Sequence, residues 1–225
     1  MSVVRPPMFV AVVIVAAVLV SACSSAEVDE ITPEALDGST TVSTPNGEAD
    51  QLAESTTTTS GARSNAELAA AWWTWAAQEP ATTNPVVDAD GSDCARNQPG
   101  DVWFLAGSFG EVIQRSCTVP AGTELFAPVL NSFCEPDGCG GSFDDAERLA
   151  TLDGVPLEII EIDVPSTTIS GQPDNAVFGE GGTFTVMVAG WWIRVPGLAP
   201  GKYELRVAGD DGSFRLDVTY DLTVE

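Results

Sequence analysis

Hydrophobic and polar residues alternate along the last stretch of the chain. Phe214, Leu216, Val218, Tyr220, Leu222 and Val224 are apolar, while Arg215, Asp217, Thr219, Asp221 and Thr223 between them are polar. Strand side chains point to opposite faces in turn, so this period of two predicts a strand with one face on a core. Tyr203, Leu205 and Val207 alternate in the same way, and Asp210-Asp211-Gly212 supplies the turn between the two strands. Upstream, the apolar runs are less regular. Thr123 to Leu130 follows a Pro120-Ala121-Gly122 turn, Val155 to Val164 follows Asp153-Gly154, and Thr183 to Val195 follows Gly181-Gly182. Asp101 to Ala106 and Glu111 to Val119, separated by Gly107-Ser108-Phe109-Gly110, read as a hairpin. About seven strands joined by short turns predict a mainly β domain, an antiparallel β-sandwich.

One segment departs from this pattern. Leu68, Trp72, Trp75 and Ala76 recur at helical spacing, and Trp73 broadens the apolar face. Ser64-Asn65-Ala66-Glu67 has the Ser-x-x-Glu spacing of a capping box, in which each end satisfies the other's free backbone N–H, and Pro80 marks the stop. One N-terminal amphipathic helix is therefore expected. Three tryptophans on so short a helix could offer a stacking platform for sugars, but their large apolar area is expected to pack the helix onto a sheet.

Ahead of the helix the chain reads as export and tether. Met8 to Val20 is an unbroken apolar run of 13 residues after Arg5, and Val20-Ser21-Ala22 places small residues before Cys23. A run this short matches a signal-peptide core and falls below the ~20 residues that span a bilayer. The Val-Ser-Ala-Cys stretch resembles the bacterial lipobox, which implies cleavage before Cys23 and attachment of diacylglycerol to its thiol. The expected organisation is a lipoprotein signal peptide over 1–22, a tether over 23–63 and an extracytoplasmic domain over 64–225. Ser24 to Arg63 carries eight acidic residues against one Arg and few large apolar residues, so burial cannot offset its ordering entropy and a disordered spacer is expected. As a coil, about 40 residues reach ~35 Å.

Charge and composition prune the chemistry. The 225 residues include 33 acidic against 9 basic ones, a formal charge of −24. Nucleic acid is a poor partner for such a surface, because affinity there comes from Lys and Arg neutralising phosphates. There is no histidine, which excludes Ser-His-Asp and Cys-His mechanisms and His-ligated zinc. The single lysine, Lys202, falls in an apparent turn, a poor place for Schiff-base or Ser-Lys chemistry. Carboxylate chemistry or none remains.

Two resemblances extend the fold reading. Pro200-Gly201-Lys202-Tyr203-Glu204-Leu205 through Asp217-Val218-Thr219-Tyr220 looks like the last hairpin of immunoglobulin-like bacterial surface domains. Trp103-Phe104-Leu105-Ala106-Gly107 followed by Arg115-Ser116-Cys117-Thr118-Val119-Pro120-Ala121-Gly122 is similar to an uncharacterised family of secreted bacterial proteins. That family combines a Trp-rich helix, a Trp-Phe-Leu-x-Gly strand, a Cys-x-Val-Pro-x-Gly turn and a carboxy-terminal Asp-x-Thr-Tyr strand, and the match runs over most of Trp72 to Val224. The resemblance implies kinship of fold and brings no activity with it.

Cysteines and carboxylates are the remaining candidate sites. With Cys23 lipidated, four of the five cysteines are left for disulfides, which persist outside the cytoplasm. Of the three pairings, Cys94–Cys117 and Cys134–Cys139 are favoured, the second closing the Glu135-Pro136-Asp137-Gly138 loop. Asp88-Ala89-Asp90-Gly91-Ser92-Asp93 superficially matches the start of an EF-hand loop. Its glycine comes at the fourth position and no glutamate closes it, so the reading is a solvated acidic loop, with calcium on Asp88, Asp90 and Asp93 as the alternative. Other acids fall at Glu135 and Asp137 and at Asp144, Asp145 and Glu147.

The functional expectation is a lipid-anchored, extracytoplasmic, non-enzymatic binding or adhesion module of the cell envelope, with an envelope protein or glycan as its partner. The rivals are a carbohydrate-acting enzyme, with paired acids near Asp144 to Glu147 and Trp191 and Trp192 as sugar platforms, and a purely structural envelope protein. The anchor is directly testable. Cys23→Ser is expected to release the protein from membranes or block its processing, and membrane fractionation showing unchanged size and retention would refute the lipobox reading.

Overall fold

The helix α1 (Asn65–Ala76) starts where the capping box places it. The Ser64 backbone N–H donates to Glu67 Oε2 at 2.7 Å, and the Glu67 N–H returns a bond to Ser64 Oγ at 3.3 Å. Its far end stops before Pro80, because the side chain of Asn84 donates to the Ala76 carbonyl at 2.7 Å and so caps the helix. The computed structural model describes residues 62–135, 143 and 145–225. The expected signal peptide, Cys23 and nearly all of the tether lie outside the described residues, as do Asp137, Cys139 and Asp144.

Nine strands follow among the described residues: β1 (Val102–Phe104), β2 (Val112–Val119), β3 (Glu124–Cys134), β4 (Glu147–Leu152), β5 (Val155–Pro156), β6 (Ile160–Gly171), β7 (Gly182–Val195), β8 (Gly201–Asp210) and β9 (Arg215–Val224). They form one sheet in the order β1-β3-β7-β6 and a second in the order β2-β9-β8-β4-β5. The fold is mainly β with one helix, as the patterning predicts. The closing hairpin is also where it was expected, with Leu205 opposite Tyr220 and Val207 opposite Val218.

The proposed hairpin over Asp101 to Val119 is overturned. β1 lies parallel to β3 in the first sheet, and β2 lies parallel to β9 in the second, so both sheets are mixed and not wholly antiparallel. The cause is visible in the connection. Leu105 to Ser108, which spans the end of the expected strand and the start of the expected turn, is buried throughout and carries the chain from one sheet to the other. The Tyr220 hydroxyl bonds both the N–H and the carbonyl of Ala106, satisfying backbone groups that a surface turn would have given to water.

Two cores share the first sheet. On one face, residues such as Leu125, Ala127, Ile193 and Val195 meet Leu205, Val207, Val218 and Leu222 of the second sheet. On the other, Trp72, Trp73 and Trp75 of α1 pack with Phe104, Phe126, Val188 and Trp192. Burial on both faces explains why β3 and β7 read as apolar runs while β8 and β9, covered on one face, alternate. Pro128 is tolerated inside β3 because the pairing with β1 ends at Phe126, and a bulge interrupts the β7 side between Pro128 and Leu130. The unit Thr57–Glu225 contains both cores within itself, as a region able to fold on its own requires. No helix among the described residues is long and apolar enough to cross a membrane.

The two sheets come into close contact at a glycine of β8. A Cβ on Gly209 would lie 2.2 Å from Cγ of Leu130, which is fully buried on β3. Gly209→Ala is expected to cost about 1–3 kcal/mol through overpacking. In denaturant titrations the double variant with Leu130→Ala should lose less than the sum of the two single losses. Strict additivity would show that this contact does not set the spacing of the sheets.

Candidate functional site

The acidic loop is organised around its own backbone. Asp88, only 8% exposed, accepts the N–H groups of Asp90 and Gly91 on Oδ1 at 3.1 Å each and that of Asp93 on Oδ2 at 2.9 Å. Asp90 accepts the Ser92 N–H, and the bonds from Ser92 hold its carboxyl below the usual range. Asp93 is bridged to Arg96 at 2.6 Å. Each carboxylate is therefore engaged locally, and among the described residues no group of three or more metal-ligating side chains converges. The loop does not bring Asp88, Asp90 and Asp93 together as a calcium ligand set.

Beneath the loop lies a residue that the sequence reading passed over. Arg115 on β2 is 1% exposed. Its Nε donates to the Asp88 carbonyl at 2.7 Å, Nη2 to the Val86 carbonyl at 2.9 Å, and Nη1 to the Ala106 and Gly107 carbonyls at 3.1 and 2.9 Å and to the Tyr220 hydroxyl at 2.9 Å. Burial pushes the Tyr220 phenol upward, with the neighbouring guanidinium opposing that shift. The signal was present in the strand period, since Arg115 falls in phase with Ile113, Cys117 and Val119 and so had to face inward. The Cys94–Cys117 disulfide, with Cα atoms 6.1 Å apart, ties the far end of the same loop to the same strand. Cys134 is also disulfide-bonded, and its expected partner Cys139 lies outside the described residues.

The sugar-platform tryptophans are not available as such. Trp72, Trp73 and Trp75 are 2%, 7% and 4% exposed, and the indoles of Trp72 and Trp75 donate to the Leu105 and Arg96 carbonyls. Trp192 is fully buried and stacked on Phe126 with centroids 5.0 Å apart. Trp191 is half-buried, with the Arg148 guanidinium over its ring at 3.8 Å. Asp145 and Glu147 are exposed, and neither is among the described residues that line the cleft beside α1.

That cleft opens between α1, the β1–β2 connection and the β8–β9 turn, and its volume is about 310 Å³. Aromatic side chains dominate its lining: Trp72, Trp73, Phe109, Phe133, Phe143 and Phe214, joined by Val86 and Val177. The wall is stiff, because Trp73 meets Trp72 edge-on at 5.1 Å and Phe133 at 4.9 Å, and Phe133 packs on Phe178 at 4.8 Å. Phe109 is 49% exposed, an unusual position for a phenyl ring beside an apolar hollow. The polar lining divides in two. Ser108 and Asp211 are engaged: Ser108 Oγ accepts the Glu111 N–H, and Asp211 accepts the N–H groups of Ser213 and Phe214, which hold its carboxyl low together with the Ser213 hydroxyl. Trp73 Nε1 and Asn131 Nδ2 are buried away from the open surface, and among the described residues neither has a hydrogen-bond partner. The sequence pattern pointed to Trp73 only as part of the helix's apolar face and not to Asn131, since the cleft is assembled from segments far apart in the chain.

No protein-family model matches the sequence, and no curated protein matches it. Among solved structures, the solution structure of amebosin aligns with half of this chain and 96% of its own length, at 8% identity and a TM-score of 0.18. A likeness at that level carries no argument about this domain.

Proposed function

We propose that the chain is an envelope-tethered, non-enzymatic binding module whose β-rich domain uses the aromatic cleft to hold its ligand. The observation that carries this reading is the cleft itself: a concave, largely apolar surface with a few polar groups is the usual form of a ligand site. The absence of histidine from the chain supports binding over catalysis, and so does the state of the acid in the cleft. Asp211 is the one carboxylate among the described lining residues, and it is spent on its own turn, whereas glycoside hydrolysis needs two facing acids. The lipobox-like Cys23 and the acidic tether support placement on the outer side of a membrane, within reach of envelope components.

A pull-down tests the reading. The unit Thr57–Glu225, immobilised and exposed to envelope extract, is expected to retain a specific component that the rim variant Phe109→Asp loses. Phe109 is half-exposed, so the substitution should leave the melting temperature nearly unchanged. Equal capture by both proteins would move the binding surface elsewhere. Turnover of an envelope glycan by the wild-type unit would instead establish the enzymatic rival.

A further inference from the structure

We propose that the cleft takes a small organic cation, an alkylammonium or arylammonium group whose apolar body lies against the aromatic rings while its charge is held by Asp211. The inference rests on reading the domain as a binding module and names the class of ligand. The lining selects by what it lacks as well as by what it holds: six of its side chains are aromatic, and among the described residues it contains one carboxylate and no Lys or Arg. Phe109 is 49% exposed and Phe133, Phe143 and Phe214 are half-buried, so phenyl surface is open to a guest even though Trp72 and Trp73 are buried. An aromatic face carries the negative end of the ring's quadrupole and attracts an ammonium, which an aliphatic lining of the same size would not do.

Charge points the same way. The Ser213 N–H, the Ser213 hydroxyl and the Phe214 N–H all donate to Oδ1 of Asp211, so its other oxygen has no hydrogen-bond partner among the described residues. Those bonds, the Ser213 hydroxyl's first, hold the carboxyl below its usual range and keep it ionised at neutral pH. Attraction between unlike charges acts at a distance and needs no single oxygen aimed at the guest. Arg115 lies beneath Gly107, but it is 1% exposed and its nitrogens are taken up by carbonyls and a phenol. With a formal −24 on the chain, an anion is repelled and a cation is drawn in. Size limits the guest, since about 310 Å³ suits a small molecule and not a peptide helix or a sugar chain. A phosphocholine headgroup fits less well than a free cation, because its phosphate would enter the same negative field.

The test compares a cation with its carbon isostere. Meta-hydroxyphenyl trimethylammonium and meta-tert-butylphenol share one shape and differ in a charged nitrogen against a neutral carbon. Titrated calorimetrically into the full-length protein, the cation should bind saturably at one site per chain, roughly fivefold tighter than the neutral phenol. A merely apolar cleft would prefer the neutral phenol, which is the less hydrated of the two. Asp211→Asn keeps Oδ1 for the turn and removes the charge, and Phe109→Leu keeps apolar bulk and removes the ring. Each should weaken the cation about threefold and leave the neutral phenol nearly unchanged, with melting curves confirming that both variants are folded. Absence of saturable cation binding overturns the proposal, as does equal or tighter binding of the neutral phenol or an unchanged cation affinity in Asp211→Asn. Displacement of the bound cation by phosphatidylcholine vesicles overturns it in favour of a lipid headgroup. Should the cation fail while the envelope pull-down still captures a component lost in Phe109→Asp, this ligand class falls and the binding-module reading stands; failure of both removes both.

Discussion

A single buried guanidinium is the point on which this domain closes. Arg115 arrives on the inward face of β2, where Nε bonds one carbonyl, Nη2 another, and the two N–H groups of Nη1 are shared among two carbonyls and one phenol. Leaving a charge so far from water is costly unless hydrogen bonds compensate it, and here each guanidinium nitrogen finds an acceptor and those acceptors define the surroundings. The Val86 and Asp88 carbonyls fix the loop that follows the helix. The Ala106 and Gly107 carbonyls fix the crossing from one sheet to the other. Tyr220 fixes the strand beside β2. Val86 and Gly107 also line the aromatic cleft, so the group that organises the fold sets two of the cleft's walls.

From this hub the remaining features follow in order. With the β1–β2 connection held inside, β1 must join the first sheet beside β3, and β2 must join the second beside β9. The first sheet is then covered on both faces, by the second sheet and by the tryptophan-rich helix. The indole of Trp72 bonds the Leu105 carbonyl one residue before the segment that Arg115 holds, which links the helix to the same crossing. The aromatic residues on the helix face continue outward through Trp73 and Phe133 until the packing opens into the cleft.

Much of this was legible along the chain wherever a local rule was decisive. The period of two in Phe214 to Val224 depends only on which face is buried, and the capping box at Ser64 and Glu67 only on residues three apart. The pairing of Cys94 with Cys117 was likewise within reach, since the chain has few cysteines and four of them allow only three pairings. The failures were those of non-local geometry. Gly107-Ser108 carries turn residues, yet with Leu105 and Ala106 it is buried, because Tyr220, more than a hundred residues away, and Arg115, a few residues away, satisfy the Ala106 and Gly107 backbone groups. Asp88 read as part of a solvated acidic loop, with calcium as the alternative, whereas it is buried and its oxygens face the N–H groups of its own loop. The cleft left no trace in any window, because Trp73, Phe109, Asn131 and Phe214 meet only after both sheets are in place.

The central claim is tested most directly at Arg115 itself. Arg115→Met keeps the length and volume of the side chain and removes the donors, leaving the Val86, Asp88 and Gly107 carbonyls without the bonds that satisfied them. The expected loss is about 3 kcal/mol or more in the unit Thr57–Glu225, a fall of several degrees in melting midpoint. Amide hydrogen exchange should localise it, with Asp90, Gly91, Asp93 and Ala106 losing protection before the amides of β7 and β8. An unchanged midpoint with unchanged protection at those four amides would contradict the account.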